Sequence, residues 1–387
     1  MKITPGDPRR SAGPAKPGTD SGAGRTRAAR SSAVGPVDVA DYERLAPAHM
    51  SAMAWDYLSG GAEDELTLRW NHEAYGHIRL RPRNLVDVSQ LDTRVTLFGR
   101  ELPFPILLAP TGYQRLFHPG GELAVVKGAA AAKATLVVST AATTSVEAIA
   151  AVATCPLWFQ LYVQPDRGFT RELVQRAEAA GCQALVVTVD TPVLGPRYRE
   201  RRSKFNLPPE MERENLKGLP AAKGGHRPTE HSIYSPLQDA KLAWTDIDWL
   251  RSLTRLPVLF KGMMNADDAA QAVDAGVSGL IVSNHGGRNL DTQPATIDAL
   301  PGVVAKVAGR APVLVDGGIR RGTDILKALA FGATAVLIGR PYLYGLAVGG
   351  AEGVTHVVNI LRREFEIAMA LTGRPSIATI DDSVIWK

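Results

Sequence analysis

Short apolar segments alternate with amphipathic segments along most of the chain. Eight of the apolar segments are three to six residues long and consist mainly of Val, Leu, Ile and Ala, which is typical of strands buried on both faces. These candidate strands are Pro105–Ala109, Thr135–Ser139, Leu157–Leu161, Ala184–Val189, Val258–Lys261, Gly279–Ser283, Val313–Val315 and Ala335–Ile338. Helical patterns fill the gaps between them, at about 120–133, 145–153, 169–181, 266–276, 296–308 and 322–331.

A final helix is indicated by apolar residues that recur at spacings of three and four. They are Val354, Val357, Val358, Leu361, Phe365, Ala368 and Leu371. Because each strand is followed by a helical pattern, the sequence predicts an α/β fold, a single (β/α)8 TIM barrel over 37–383 rather than an open sheet. Residues 37–100 precede the first strand and are expected to form an N-terminal helical cap with short strands.

A segment of about fifty residues, 195–244, separates the fourth strand from the helix that follows it. Its middle is polar, basic and rich in Pro and Gly. A connection of this length in a compact domain is usually an active-site lid or a disordered loop. We therefore expect a mobile lid loop over the site.

The positive charge of the chain is concentrated at its N-terminus. The formal net charge is +5, and residues 1–35 hold seven basic and two acidic side chains. The remainder is therefore neutral, and its charge gives no reason to expect a nucleic-acid partner. Residues 1–36 are expected to be a disordered basic tail. An inert extension, a targeting segment and a weak binding site for an anionic partner all remain open for it.

Neither a membrane span nor secretion is indicated by the sequence. No apolar run approaches the roughly 18 residues of a membrane helix, and Arg9-Arg10 is not followed by the apolar stretch of a signal peptide. Cys155 and Cys182 each adjoin an apolar segment, which favours buried free thiols over a disulfide. The sequence therefore favours a cytoplasmic protein.

The segment Ser283–Asp291 carries the clearest chemical signal. It follows an apolar strand and places His285 and Arg288 just past the strand's C-terminal end, with two glycines between them that allow a tight turn. In a parallel α/β barrel, this end of the strands is the rim of the active site. A base three residues from a guanidinium suits the removal of hydrogen from a small carboxylic acid.

Polar side chains, and glycine or proline residues that expose their backbone, follow the other strands in the same way. The candidates are Pro110, Thr111, Gly112, Ser139, Gln160, Tyr162, Thr188, Asp190, Arg197, Lys261, Asp316, Gly318, Arg320, Gly339 and Arg340. Glycines and arginines after the last two strands predict a phosphate site, because backbone N–H groups and guanidinium groups can hold a dianion. Lys261 closes a buried strand, where its ammonium needs an anionic or carbonyl partner. Metal-ligand spacings, Walker sequences and GxGxxG motifs are absent from the sequence.

In combination, these residues resemble the FMN-dependent α-hydroxy-acid oxidase and dehydrogenase family, from about residue 37 to 383. The motifs that carry the resemblance are Trp55-Asp56-Tyr57, Gly61-Ala62-Glu63-Asp64, Phe159-Gln160-Leu161-Tyr162, Thr188-Val189-Asp190-Thr191-Pro192, Leu259-Phe260-Lys261-Gly262, Ser283–Asp291, Asp316–Gly322 and Ile338-Gly339-Arg340-Pro341. Their order and spacing together make the resemblance highly specific.

The resemblance implies FMN as the cofactor and an (S)-2-hydroxy acid as the substrate, which is oxidised to the 2-oxo acid. The flavin would then be reoxidised by oxygen, giving hydrogen peroxide. His285 would remove the substrate's proton, or accept the hydroxyl proton as hydride leaves, and Asp190 would orient it. The resemblance also implies a homo-oligomer, commonly a tetramer.

The same resemblance implies binding roles. Implied substrate ligands are Tyr57, Tyr162, Arg197, His285 and Arg288, with Tyr162 catalytic as well. Implied cofactor ligands are Pro110, Thr111, Gly112, Ser139, Gln160, Thr188, Lys261, Ser283, Asp316, Gly318, Arg320, Gly339 and Arg340. Lys261 would lie at the flavin edge that becomes anionic on reduction.

Three positions depart from the family pattern. Asn289 replaces a common Gln and is expected to lie behind the site. Gly112 replaces the Ala of many oxidases, which leaves oxygen, a quinone or another acceptor, and a lactate-monooxygenase-like reaction, open. Ala141 replaces the Trp of short-chain glycolate oxidases, so we expect a medium or aromatic substrate side chain. An FMN-free barrel lyase or isomerase is a more distant alternative.

Overall fold

The computed structural model describes residues 35–219, 233–235 and 237–387. Its helices are α1 (Val39–Leu45), α2 (Ala52–Ser59), α3 (Leu66–His77), α4 (Gly121–Ala132), α5 (Val146–Ala150), α6 (Arg167–Ala179), α7 (Tyr198–Arg202), α8 (Ile247–Ser252), α9 (Ala266–Asp274), α10 (Thr296–Val307), α11 (Gly322–Ala330) and α12 (Arg340–Leu371). Its strands are β1 (Val95–Leu97), β2 (Arg100–Leu102), β3 (Ile106–Leu108), β4 (Thr135–Ser139), β5 (Leu157–Leu161), β6 (Leu185–Thr188), β7 (Val258–Lys261), β8 (Gly279–Val282), β9 (Val313–Val315) and β10 (Ala335–Ile338). The predicted tail falls almost wholly outside these residues, as does the centre of the predicted lid, 220–232.

Strands β3 to β10 form a closed parallel barrel, and β10 pairs with β3 to complete it. Each strand corresponds to one of the eight predicted apolar segments, so the prediction of a TIM barrel is confirmed. Every residue of these strands is buried, which explains why they appear in the sequence as continuous apolar runs without alternation.

The barrel is filled and covered by apolar side chains in two layers. Inward-facing residues such as Leu107, Ile281 and Leu314 are fully buried in a cluster at the barrel axis. A larger cluster packs the outer faces of the strands against the helices. Each fully buried Leu or Ile side chain contributes about 1.5–3 kcal/mol relative to exposure, so the strands are held from both sides.

The residues that precede the barrel are divided between its two ends. The β1–β2 hairpin closes the N-terminal end, where the Phe98 ring lies 5.7 Å from that of Trp158. The chain around α2 and α3 lies instead at the C-terminal end, because the backbone N–H of Ala62 donates to the carbonyl of Gly287 at 2.8 Å. The predicted N-terminal cap is thus present, and its helical part borders the site.

The described flanks of the predicted lid pack on the barrel. Asn215 is fully buried, accepts a hydrogen bond from the backbone N–H of Val146 and donates one to the carbonyl of Ser139. Leu216 and Leu237 are buried as well. The segment also contains helix α7, which the sequence did not predict. The mobility of the lid stays a prediction.

Helix α12 begins earlier than the sequence predicts, at Arg340 instead of about 354. Its first part is buried on several sides, which removes the amphipathic period that marks its second part. Two non-helical residues, Gly349 and Gly350, separate the parts. Among the residues that the structure describes, no helix combines the length and apolar character needed to cross a membrane.

Candidate active site

A cavity of about 690 Å³ opens at the C-terminal end of the barrel strands. Of the predicted site residues, all but Asp190 and Ser283 line it, and these two contact residues that do. The lining residues are Tyr57, Pro110, Thr111, Gly112, Ser139, Gln160, Tyr162, Thr188, Arg197, Lys261, His285, Arg288, Asp316, Gly318, Arg320, Gly339 and Arg340. The fold therefore brings together groups that are spread over more than 280 positions of the chain.

His285 is presented to the cavity by a left-handed turn. Its φ is +57°, and Gly286 and Gly287 continue at +65° and +72°. A side chain on Gly287 would lie 2.7 Å from the backbone nitrogen of Leu68, so only glycine fits between the turn and α3. The turn accordingly sets the direction of the imidazole through packing on α3.

The imidazole of His285 is oriented by a carboxylate. Its Nδ1 lies 3.0 Å from Oδ1 of Asp190, and its Nε2 lies 3.3 Å from the hydroxyl of Tyr162. An ionised Asp190 accepts the hydrogen bond from Nδ1–H, which makes Nε2 the basic nitrogen, and the Tyr162 hydroxyl donates to it in the absence of substrate. The arrangement is that of a general base with an orienting acid.

Burial controls the ionisation of this pair. Desolvation lowers the pKa of His285 below its ordinary value, and the opposing charge of Asp190 limits the decrease. For Asp190, burial acts to raise the pKa, but the charge of and hydrogen bond from His285, together with Lys261, lower it on balance. At neutral pH the resting site therefore holds a neutral imidazole and a carboxylate.

Polar residues of the Ser283–Asp291 segment support the pair from behind. The Asn289 amide donates to the Asp190 carbonyl and to the Thr191 hydroxyl, each at 2.9 Å. Asp291 accepts the backbone N–H groups of Leu66 and Thr67, at 3.2 and 2.7 Å, and so caps the N-terminus of α3. Asn289 thus lies behind the site, as expected. The capping role of Asp291 could not be found without knowing that α3 lies opposite.

Two arginines converge beside His285. The Arg288 guanidinium lies 4.7 Å from the centre of the Tyr57 ring and donates to the Tyr57 and Gly60 carbonyls at 2.6 and 3.0 Å. The Nε–H of Arg197 donates to the Arg288 carbonyl at 3.1 Å. Burial, and then the charge of Arg288, lower the pKa of Arg197. A paired cationic site of this kind suits a carboxylate.

Glu200 holds the two arginines together, and no pattern in the sequence had indicated this role. Its Oε1 lies 2.9 Å from Nη2 of Arg288 and 3.5 Å from Nη1 of Arg197, and the residue is 8% exposed. The 195–244 segment was predicted as a loop, in which residues three positions apart need not be neighbours. Helix α7, which was not predicted, brings Arg197 and Glu200 to the same side of the chain.

Lys261 has the anionic partner that its burial demands. Its Nζ donates to the Ser283 hydroxyl at 2.8 Å and lies 3.3 Å from Oδ2 of Asp316. Ser283 is fully buried, and its hydroxyl contacts Lys261 from beside the cavity lining. Oδ1 of Asp316 is buried without a hydrogen-bond partner among the described residues. An incoming donor, such as a ribityl hydroxyl group, would satisfy it.

A row of polar side chains continues along the strand ends. The Gln160 amide donates to the Thr188 hydroxyl at 2.9 Å and accepts from the Ser139 hydroxyl at 3.1 Å. These groups and Lys261 come from β4, β5, β6 and β7, four consecutive strands of the barrel. Such an edge fits the hydrogen-bonding side of a flavin ring.

The far end of the cavity is positively charged. Arg320 and Arg340 line it, next to the glycine turn at Gly317 and Gly318, whose φ values are +94° and +79°. A Cβ on Gly339 would meet only Ala109, at 3.9 Å, so space remains above this residue. Two guanidinium groups beside glycine turns fit the phosphate of FMN.

Arg340 also has a structural function that the sequence did not indicate. Its three guanidinium nitrogens each donate to a backbone carbonyl, those of Leu58, Gly286 and Gly60, at 2.9, 3.0 and 2.9 Å. Burial lowers its pKa to about 10, so it stays charged at neutral pH. Arg340 therefore ties α2 to the turn that carries His285.

Gly112 and Ala141 lie next to each other beside the carboxylate clamp, which consists of the paired guanidinium groups of Arg197 and Arg288. A Cβ built on Gly112 would lie 3.0 Å from the Cβ of Ala141 and 3.7 Å from the Tyr57 hydroxyl. The two small residues that depart from the family pattern, Gly112 and Ala141, therefore enlarge the same region of the cavity.

Comparison with known proteins identifies the family. Residues 46–387 match the family described as FMN-dependent dehydrogenase. An L-lactate oxidase from Nostoc sp. is 49% identical over 357 residues, which cover 90% of this chain and 98% of that protein. A peroxisomal (S)-2-hydroxy-acid oxidase from Oryza sativa subsp. japonica is 48% identical over 352 residues, covering 90% of this chain and 95% of that protein.

Solved structures lead to the same family. A mandelate oxidase variant with (S)-mandelic acid aligns with a TM-score of 0.81 at 40% sequence identity, and the alignment covers 89% of this chain and 97% of the other. The family match, the relatives and a cavity that fits a flavin and its phosphate agree. The chain belongs to the FMN-dependent dehydrogenase family, and its cofactor is FMN.

Proposed function

We propose that this enzyme oxidises an (S)-2-hydroxy acid to the 2-oxo acid and passes the electrons to oxygen, giving hydrogen peroxide. The observation that carries the proposal is the imidazole of His285, which is oriented by Asp190 and lines a cavity bordered by the paired guanidinium groups of Arg197 and Arg288. The names of the relatives, oxidases of lactate and of (S)-2-hydroxy acids, support both the substrate class and the acceptor.

Each residue around the cavity has a separate role in binding the substrate or in removing its proton. Arg197 and Arg288 hold the substrate carboxylate, assisted by Tyr57, and the Tyr162 hydroxyl bonds the substrate's hydroxyl oxygen. Nε2 of His285 then takes the proton that leaves the substrate, and the ionised Asp190 stabilises the imidazolium that results. Glu200 keeps the two guanidinium groups side by side against their mutual repulsion.

The residues proposed to bind FMN line the same cavity as those proposed to bind the substrate. When bound, FMN supplies the electron-accepting ring that takes the hydrogen equivalents from the substrate. Ring contacts are assigned to Pro110, Thr111, Gly112, Ser139, Gln160, Thr188 and Lys261, and contacts to the ribityl phosphate to Asp316, Gly318, Arg320, Gly339 and Arg340. Ser283 accepts a hydrogen bond from Lys261 and stays a predicted cofactor contact beside it.

The test is anaerobic stopped-flow absorbance of the holoenzyme with L-mandelate, L-lactate and glycolate, followed by admission of oxygen. Bleaching by a hydroxy acid with fast recolouring in air supports an oxidase. Bleaching with slow recolouring favours a dehydrogenase that uses a quinone or another acceptor, the alternative that Gly112 keeps open. If none of the three acids bleaches the flavin, the proposed substrate class is wrong.

We further propose that the substrate side chain is of medium size or aromatic, because Ala141 and Gly112 leave room beside the clamp. Ala141→Trp should fill this space and lower the kcat/KM ratio of L-mandelate to glycolate by about 100-fold, the scale of discrimination that pocket volume provides. Steady-state kinetics with both acids measures the ratio. Ala141→Ser, which adds one small atom, is the control and should change the ratio little; an unchanged ratio in Ala141→Trp would contradict the assignment.

The protonation state of His285 predicts the pH profile. Since the base must be neutral and burial lowers its pKa, kcat/KM should stay flat through pH 7, and its tenfold fall per pH unit should begin only at a pH below the ordinary pKa of an imidazole. Asp190→Asn removes the charge that raises this pKa, so its acidic limb should shift to lower pH while the rate falls. A limb that moves to higher pH in this variant would contradict the pairing.

The proposal also includes the cellular location of the enzyme and its oligomeric state. Both cysteines are free thiols, Cys182 being buried, which suits a reducing compartment. We therefore propose a cytoplasmic enzyme, and, from the family resemblance, a homotetramer. Native mass measurement of the purified holoenzyme tests the second point.

A further inference from the structure

The outer wall of the cavity carries a cation for which the proposed reaction has no use. Arg213 lines the cavity, and its Nε–H donates to the Tyr113 hydroxyl at 2.8 Å. Its guanidinium lies 5.3 Å from the centre of the Tyr113 ring. No carboxylate of the described residues lies within ion-pair distance of it.

The neighbouring charges explain why Arg213 stays uncompensated. It lies between two acids, Glu212 and Glu214, yet both pair with Lys217, whose Nζ lies 3.6 and 2.7 Å from them. The backbone also fixes the position, because Glu214 N donates to the Ala142 carbonyl at 3.0 Å. Arg213 therefore belongs to a segment docked on the barrel, and its acidic neighbours, of which Glu212 also lines the cavity, are paired with Lys217 and not with Arg213.

The hydrogen bond between Arg213 and Tyr113 leaves donors available. Because the Tyr113 oxygen accepts from Nε–H, its own O–H proton is free to donate. Hydrogen bonds from Nη1 and Nη2 of Arg213 to other described residues are absent. The pair thus offers several N–H and O–H groups, and no acceptor, to a molecule in the cavity.

This pair stands at a definite place relative to the clamp. The guanidinium of Arg288 lies 4.7 Å from the Tyr57 ring, whose centre is 5.4 Å from the Tyr113 ring. The backbone N–H of Tyr113 donates to the carbonyl of Ala141 at 3.1 Å. The route from the carboxylate clamp to Arg213 therefore runs along aromatic faces and past the space that Gly112 and Ala141 leave.

We propose that Arg213 and Tyr113 form a second, distal subsite for an anionic group, so that the preferred substrate is a 2-hydroxy acid whose side chain ends in a carboxylate. The inference rests on the proposed function and narrows its substrate class. The aromatic faces accommodate the middle of the side chain, and the distal carboxylate accepts charge-assisted hydrogen bonds from the guanidinium and the phenol.

The experiment compares matched substrates that differ only at the far end. Initial rates of anaerobic flavin reduction by the holoenzyme are measured with (S)-4-carboxymandelate and (S)-4-methylmandelate, and with (S)-2-hydroxy dicarboxylates of four to six carbons beside their methyl-terminated counterparts. We expect the wild-type enzyme to prefer a carboxylate terminus by at least 10-fold in kcat/KM in one of the longer pairs.

Variants then assign the preference to the subsite. Arg213→Met should lower the carboxylate-to-methyl ratio about 100-fold, Arg213→Lys should retain part of it, and Tyr113→Phe should lower it less than Arg213→Met. Arg202→Met, which removes an exposed cation from α7, is the matched charge control and should leave the ratio within twofold of wild type.

The outcomes separate this inference from the proposed function. If methyl-terminated acids bleach the flavin as well as the carboxylate-terminated ones do, the distal subsite is wrong and the oxidase proposal stands. If Arg213→Met slows every substrate equally, the residue only supports the lid, and the subsite is again wrong. If no hydroxy acid bleaches the flavin, the proposed function itself fails.

Discussion

Replacing His285 with Gln is expected to slow anaerobic flavin reduction by about 10⁴-fold, the upper range for removal of a positioned general base. Glutamine keeps a polar side chain of similar length in the turn but cannot accept a proton at neutral pH. Among the described residues, the imidazole is also the only group of the site that combines a basic nitrogen with an orienting carboxylate partner. Single-turnover stopped-flow absorbance with the best substrate measures the effect.

The control for this variant is His77→Gln, which alters an exposed histidine of α3 away from the cavity. Both variants should bind FMN stoichiometrically and melt near the wild-type temperature, because the turn that holds His285 is fixed by glycines and by the packing of Leu68. A loss of less than 10-fold in His285→Gln, with FMN bound, would assign proton removal to another group.

The barrel could be predicted because its strands are buried on both faces. Segments such as Thr135–Ser139 and Leu157–Leu161 keep the predicted bounds in the structure, since continuous apolar runs bounded by turns have few other stable outcomes. The position of His285 followed directly, because the C-terminal ends of barrel strands share one rim. The local apolar pattern and the barrel topology therefore both place His285 at the centre of the site.

The periphery of the site escaped prediction for a different reason. Glu200 and Arg213 lie in the 195–244 segment, where polar composition hides both the short helix α7 and the docked turn around Asn215. Their roles depend on contacts with residues far away in sequence, such as Arg288 and Tyr113. Such contacts leave no periodic pattern in the local sequence, so the segment could be predicted only as a loop.

Replacing Arg288 with Met is expected to lower kcat/KM by about 10³-fold, mainly through KM, because one half of the carboxylate clamp is lost. The same change leaves the buried Glu200 with a single, more distant partner, Arg197 at 3.5 Å. Removal of one member of a buried ion pair costs about 3 kcal/mol of stability. Loss of substrate binding and loss of stability are therefore expected together, and steady-state kinetics and thermal melting of the holoenzyme measure them separately.

The double variant Arg288→Met/Glu200→Gln distinguishes the two effects. Neutralising Glu200 removes the unpaired charge, so the double variant should regain most of the lost melting temperature, yet its kcat/KM should stay low because the carboxylate still lacks Arg288. Arg288→Lys should recover little activity, since one ammonium cannot bond the Tyr57 and Gly60 carbonyls and Glu200 while it also holds a carboxylate. If activity returned in the double variant along with stability, Arg288 would be a structural residue and the carboxylate would be bound elsewhere.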